Sequence, residues 1–126
     1  MAATTIKWRK QWGDDDRIVW VNVAKLEIWW KAEGPSHYFV RGQGRPNAYR
    51  IIEERVQRGE VLPMPHLSFY YDNPNRIGFT DGRHRFAWVR DHGGAVMPVT
   101  FHRTEAARAR KIFGTKRRIC TVSIVI

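Results

Sequence analysis

The chain has 126 residues, which is enough for one domain with a real hydrophobic core but not for two. Its apolar and aromatic content is ordinary for a globular protein, so an intrinsically disordered chain is excluded. The formal net charge is +10 and arginine outnumbers lysine. This balance favours polyanionic partners: nucleic acid, nucleotide phosphates or an acidic protein surface. A generically basic surface has the same composition.

The one cysteine, Cys120, has no partner for an intramolecular disulfide, which is typical of a reducing compartment. It lies in a strand-like run, so we expect a buried thiol rather than a reactive one. The first residues are polar and basic without the apolar core of a signal peptide, and no apolar run reaches transmembrane length. The sequence therefore predicts a cytoplasmic protein.

The first half of the chain gives these predictions in order. Residues 1–16 are weakly patterned, and we expect a poorly ordered N-terminal extension. Residues 17–30, rich in Val, Ile and Trp, predict one or two strands, and 37–40 a short strand. Residues 41–46 form a basic Gly-rich loop without the Lys-Ser/Thr ending of a P-loop. A helical apolar pattern follows over 47–58, with Gly59 suited to its C-terminal cap.

In the second half, strands at 67–71 and 76–80 flank a turn at 72–75. A helix over 83–92 is ended by Gly93 and Gly94, and a strand follows at 97–102. Residues 104–113 predict a third helix, and 119–126 the last strand. Helices that alternate with strands indicate a single compact α+β (mixed α/β) domain over 1–126, with a mixed sheet and about three helices.

The segment 77–88 carries the strongest chemical pattern. An apolar run stops at Asp81 and Gly82, and Arg83, His84 and Arg85 follow where a helix begins. A helix N-terminus offers free backbone N–H groups, and a glycine lets a ligand approach them. The pattern predicts a phosphate or nucleotide site, although not all three side chains can face one ligand. The simpler alternative is that Asp81 and Gly82 only start a helix.

The order of elements over 47–101 gives a resemblance to a known family. It combines a helix ended by Gly59, a Pro-flanked strand, a hairpin, the run Asp81-Gly82-Arg83-His84-Arg85-Phe86-Ala87-Trp88, and the strand that contains Met97-Pro98-Val99. This order resembles the ParB/sulfiredoxin superfamily and looks most like the plasmid fertility inhibition factors. Those proteins block DNA transfer through a conjugative type IV secretion system.

The resemblance implies a ParB/sulfiredoxin-like fold with ATPase and DNase activity. It gives the nucleotide-phosphate loop to Gly82, Arg83, His84 and Arg85, with ATP or another nucleotide bound together with Mg²⁺. We expect His84, Arg85 and Asp81 to be catalytic: the arginines supply charge, His84 is an acid, a base or a phosphate donor, and Asp81 is the nearest carboxylate to a metal. Capping of its own helix is the alternative role of Asp81, and no cluster with metal-ligand spacing is evident.

The sequence differs from the superfamily pattern in two ways that limit the activities we expect. Arg83 stands where sulfiredoxins keep their catalytic cysteine, which argues against thiol repair chemistry. The 126 residues are also too few to add the helix-turn-helix and dimerisation domains of partition ParB proteins, so we do not expect sequence-specific centromere binding.

A second basic group predicts a surface for DNA. It comprises Arg108, Arg110 and Lys111 on the last helix, then Lys116, Arg117 and Arg118. A solvated helix face fits the same residues. The expected partners are DNA, a nucleotide and a type IV secretion coupling protein, which would bring the chain to the inner face of the membrane. The alternative function is a non-enzymatic basic binding module that acts on a secretion or coupling protein or on DNA.

Overall fold

A computed structural model describes residues 2–11 and 13–124. Its strands are β1 (Ala2–Thr5), β2 (Trp8–Arg9), β3 (Asp16–Asn22), β4 (Leu62–Pro63), β5 (His66–Phe69), β6 (Ile77–Asp81), β7 (Val96–His102) and β8 (Thr121–Ile124). Its α-helices are α1 (Val23–Trp30), α2 (Pro46–Gln57), α3 (Arg83–Asp91) and α4 (Arg103–Phe113), and a single 3₁₀ turn (Lys31–Glu33) extends α1. None of the helices in the described ranges is long and apolar enough to cross a membrane.

A four-stranded mixed sheet with the order β3-β7-β5-β6 organises the molecule. Strand β7 runs antiparallel to β3 and parallel to β5, and β6 returns antiparallel to β5. Two small ladders accompany it, an antiparallel one between β1 and β8 and a parallel one between β2 and β4. Strands β3 and β6 therefore form opposite edges of the sheet. The predicted α+β class with a mixed sheet is confirmed.

The core lies on the inner strands of this sheet. Six of the seven residues of β7 are buried, as a strand covered on both faces requires. The indole of Trp30, 1% exposed, meets the rings of Tyr38, Phe39, Phe79 and Phe86 edge to face, with centroids 4.9–5.8 Å apart. This cluster joins α1, the segment after it, β6 and α3, and so it fixes the start of α3 against the rest of the fold.

The prediction of strand throughout 17–30 is wrong in its second half, where the chain forms α1. Asn22 ends β3 and caps the helix, because its Oδ1 accepts a hydrogen bond from the Lys25 N–H at 3.0 Å. Val23, Leu26 and Trp30 then lie on one buried face. Valine, isoleucine and tryptophan favour strands, but burial of this helical stripe outweighs that local preference.

The predicted strand at 37–40 is also absent. The N–H groups of His37 and Tyr38 both donate to the Gly34 carbonyl, so the segment turns instead of extending. Its aromatic residues pack as side chains against Trp30 and not as part of a ladder.

Residues 1–16, expected as a poorly ordered extension, contain β1 and β2 and the buried Ile6. Their pairing partners come from distant parts of the chain, which a local pattern does not show. The last strand is described only to Ile124, so the end of the predicted 119–126 strand lies outside the described residues.

Candidate functional site

The candidate site is the junction between β6 and α3. Gly82 connects them in the left-handed region, at φ +90° and ψ 16°, and no side chain in the described part of the chain caps the helix. A Cβ on this glycine would lie 2.7 Å from Pro65 Cα, so a larger residue meets both strain and a backbone contact. Since the described residues supply no side-chain cap, the N–H groups of the first helical turn are available to a ligand.

Asp81 is the last residue of β6 and does not cap α3. Its Oδ2 accepts hydrogen bonds from Gln11 Nε2 at 2.7 Å and from Arg85 Nη2 at 2.9 Å. Burial raises the pKa of this carboxyl, but the bonds from Gln11 and Arg85 outweigh burial and hold the pKa below its ordinary value. Asp81 is thus an ionised carboxylate already paired with Arg85.

Arg83 and His84 both contact Phe39. The Arg83 guanidinium lies 5.1 Å from the centroid of that ring, and the imidazole of His84 lies 4.8 Å from it. Burial lowers the pKa of His84, and the charges of Arg83, Arg45 and Arg85 lower it further, so the ring is neutral at pH 7. Its Nε2 is buried without a hydrogen-bond partner among the described residues.

A cavity of about 300 Å³ opens at this junction, and it is lined by Phe79, Thr80, Asp81, Gly82, Arg83 and His84. A second cavity of about 230 Å³ shares Phe79, Thr80 and Arg83 with it. The four predicted phosphate-loop residues therefore do not all line this cavity. Gly82, Arg83 and His84 surround the cavity, whereas Arg85 is not among its lining residues and pairs with Asp81.

A buried ionic network behind the site was not found from the sequence. Arg90, 2% exposed, donates to Glu27 Oε1 at 3.2 Å, to Asp91 Oδ1 at 2.8 Å and to the Phe39 carbonyl. An arginine inside a helix gives no sequence indication that it is buried, and its carboxylate partner Glu27 is 63 positions away.

Asp91 extends this network into the Gly-rich loop. Its Oδ2 accepts from the Gly42 N–H at 2.9 Å and from the Tyr49 hydroxyl at 2.8 Å. The loop at 41–46 is therefore bound to the end of α3, and the same network fixes the Phe39 carbonyl. The ring of Phe39 in turn supports Arg83 and His84 at the other end of the helix.

The six predicted DNA-binding cations have different surroundings. Arg108 donates to the Pro74 carbonyl and lies 4.2 Å from the centroid of the Phe69 ring, which anchors it to the fold. Arg110, Lys116 and Arg118 line a separate cavity of about 530 Å³ with Ile18, Trp20, Gly114 and Thr115. Lys111 and Arg117 are exposed and lie outside that lining.

Within the described residues, no group of three or more His, Cys, Asp or Glu side chains is placed to hold a metal ion. Asp81 is the carboxylate that lines the cavity at α3. Mg²⁺ commonly binds through one or two carboxylates and substrate phosphates, so such an ion would share Asp81 with a bound nucleotide.

The fold is similar to a known one. The crystal structure of a gold(I) cyanide derivative of Oncogenic Suppression Activity Protein, described as a plasmid fertility inhibition factor, superposes with a TM-score of 0.61 at 22% identity. The match covers 86% of this chain and only 60% of that one. At this identity the likeness shows the fold alone. No curated protein sequence matches the chain significantly.

The family follows from the sequence comparison. The model of the plasmid fertility inhibition factors matches residues 18–114, which is most of the chain and extends from within β3 to the end of α4. The chain belongs to the plasmid fertility inhibition factor family, and the predicted resemblance to that family is confirmed.

Proposed function

We propose that this chain blocks the transfer of plasmid DNA through a conjugative type IV secretion system by means of ATP hydrolysis and DNA cleavage. The supporting observation is the uncapped N-terminus of α3, where Gly82, Arg83 and His84 surround one cavity. A helix N-terminus with adjacent cationic donors is suited to the phosphates of a nucleotide.

The residues at this junction suit phosphate chemistry. Arg83 neutralises charge on the phosphate and is supported in place by Phe39. His84 is neutral near pH 7, so it accepts a proton from the attacking water while the bond between phosphorus and the leaving oxygen breaks. Mg²⁺ would supply further charge neutralisation. Arg85 and Asp81 hold each other across the first turn, and we assign Arg85 to positioning the loop rather than to ligand contact.

The test is titration of ATP and CTP with and without Mg²⁺, followed by assays of hydrolysis and plasmid nicking. We expect Arg83→Ala to weaken nucleotide binding about tenfold or more, since bonds from a charged donor are worth about 1.5–3 kcal/mol. His84→Ala should lower turnover more than binding. Arg58→Ala, at an exposed arginine at the end of α2, is the matched control. Wild-type binding and turnover in both site variants would refute the assignment.

A non-enzymatic binding module is the second candidate. It is favoured by the cavity at Arg110, Lys116 and Arg118, which lies apart from the α3 junction. The two candidates separate in a mating assay with donor cells that express Arg83→Ala. If this variant no longer binds nucleotide but still blocks conjugation, inhibition works through the basic surface, on DNA or on a coupling protein in the cytoplasm or at the inner face of the membrane.

A further inference from the structure

The cavity on β3 is a groove built by three segments of the chain. Ile18 and Trp20 alternate with the fully buried Val19 and Val21, so they lie together on the other face of the strand. Ile18 is 39% exposed and Trp20 is half-buried. The sheet edge beside them is closed, because the Thr115 N–H donates to the Trp20 carbonyl at 3.0 Å. We call this feature the β3 groove.

Every charged side chain that lines the β3 groove among the described residues is cationic. Arg110, Lys116 and Arg118 line it, and no carboxylate does so among the described residues. None of the three forms an ion pair in the described part of the chain, whereas Arg50, Arg76, Arg85 and Arg90 all do. Arg110 is also oriented by the fold, since its Nη2 donates to the Ile18 carbonyl at 3.2 Å.

We propose that the β3 groove binds single-stranded nucleic acid, with a base against Trp20 and the backbone phosphates at Arg110, Lys116 and Arg118. The proposal rests on the action on DNA proposed above, and it specifies that the nucleic acid is bound as a single strand. An aromatic floor with a cationic wall is how proteins bind single strands without sequence preference. In a duplex the bases are stacked on each other, and the indole has no free base to contact.

The composition of the groove favours this ligand over an acidic peptide. A peptide of Asp and Glu residues satisfies the three cations but gives the half-buried indole of Trp20 no planar partner. A nucleotide unit carries the phosphate and the planar base together, and both parts of the groove are then used.

The β3 groove is also separate from the α3 junction. Strand β3 forms one edge of the sheet, and β6, which leads into α3, forms the other. Three strand spacings, about 14 Å in total, lie between these edges. Loss of strand binding and loss of nucleotide binding can therefore be measured independently.

The experiment measures anisotropy of a labelled oligothymidylate of about 15 nucleotides, with the matching duplex as competitor. Lys116→Glu/Arg118→Glu should weaken binding by at least tenfold, and it should lower the salt slope of log K by about 1.4, at about 0.7 per phosphate contact. Trp20→Leu should weaken binding about fivefold or more, while Trp20→Phe, which keeps an aromatic face, should lose less. Thermal melting checks that each variant is folded.

Two control variants carry the same change in charge. In Lys25→Glu/Arg58→Glu, the first residue lies on α1 and the second is the C-cap of α2, and neither lines the groove. This variant should change affinity less than about threefold. Lys111→Glu/Arg117→Glu lies beside the groove but outside its lining, so its loss should stay well below that of Lys116→Glu/Arg118→Glu.

Three results would overturn the proposal. The first is equal loss in all three charge variants, which indicates a diffuse basic surface. The second is a duplex that competes as well as the single strand while Trp20→Leu has no effect. The third is a polyglutamate peptide of equal charge that competes as well as the oligonucleotide, which assigns the groove to an acidic protein. Nucleotide titration of the same samples reports on the α3 junction, so failure there is distinguishable from failure here.

Discussion

Arg90 and Glu27 join α3 to α1 through a hydrogen bond of 3.2 Å between Nη1 and Oε1, with only 1% of the Arg90 side chain exposed. A buried guanidinium needs acceptors around it, and Asp91 and the Phe39 carbonyl supply two more for Nε and Nη1. Nη2 is buried without a hydrogen-bond partner among the described residues. The pair links the helix that starts at the candidate site to the aromatic cluster beneath it.

Removal of one carboxylate from this network should be costly. We expect Asp91→Ala to lower the free energy of unfolding by about 3 kcal/mol, because Arg90 loses a buried partner and the Gly42 N–H loses its acceptor. Urea unfolding followed by tryptophan fluorescence measures this change. The control is Glu54→Ala, which removes the exposed pair with Arg50 and should cost less than about 0.5 kcal/mol. Similar small losses in both variants would show that the buried network contributes little.

Gly82 is expected to reject any side chain. Gly82→Ala should destabilise the protein by more than Gly93→Ala, although both glycines have positive φ, +90° and +81°. At Gly93 an added Cβ meets nothing within 4 Å, so the loss there is backbone strain alone, about 1 kcal/mol. At Gly82 the Cβ also meets Pro65 at 2.7 Å. Thermal or urea unfolding of the two variants tests this, and equal losses would show that Pro65 moves aside without cost.

His84 should make stability depend on pH in a defined direction. Its pKa is lowered in the folded protein, so the unfolded chain takes up the proton first as the pH falls. The stabilisation from neutral His84 is therefore complete above its ordinary pKa, near 6.5, and is lost as the pH falls through the lowered folded-state value. Unfolding free energies of wild type and His84→Asn from pH 7.5 to 5 measure the effect. The difference between the two should shift against wild type on acidification, and a constant difference would contradict the burial of this ring.

Cys120 should react slowly as long as the protein is folded. The thiol is 1% exposed, and burial raises its pKa to about 11. The thiolate is the reactive form, so at pH 8 a disulfide reagent should label Cys120 at least about a hundredfold more slowly than an exposed cysteine introduced by Ser36→Cys. Urea should remove the difference. Equal rates in native buffer would show that this part of the core opens readily.

The sequence predicted the β6–α3 junction because its determinants are local. Asp81 and Gly82 mark the end of a strand, and the apolar spacing after them is helical. The different roles of the charged residues were not predictable from the sequence. Arg83 lies on the cavity side because the ring of Phe39 supports it. Arg85 instead pairs with Asp81, whose carboxylate also accepts a hydrogen bond from Gln11. Phe39 and Gln11 are both distant from this loop in the chain.

The predictions for residues 23–30 and for the N-terminal residues were wrong for a related reason. Residues 23–30 mix strand-favouring Val, Ile and Trp with helix-favouring Ala, Lys, Leu and Glu. Asn22 starts a helix there, and only the tertiary fold reveals its buried stripe. Strand β1 is short and matches no strong pattern, and it forms because β8 lies beside it. Secondary-structure propensity describes the preference of an isolated residue. Helix α1 and strand β1 instead form because other parts of the chain pack or pair with them.

The order of strands in the sheet affects how substitutions can accumulate in this chain during evolution. The buried strand β7 and its neighbour β5 lie between the β3 groove and the α3 junction. Substitutions more than about 10 Å apart with no shared contact usually have additive effects. Variation at Lys116 or Arg118 can therefore accumulate without a compensating change at Arg83 or His84. Selection can adjust the two surfaces separately, at different rates, on one small scaffold.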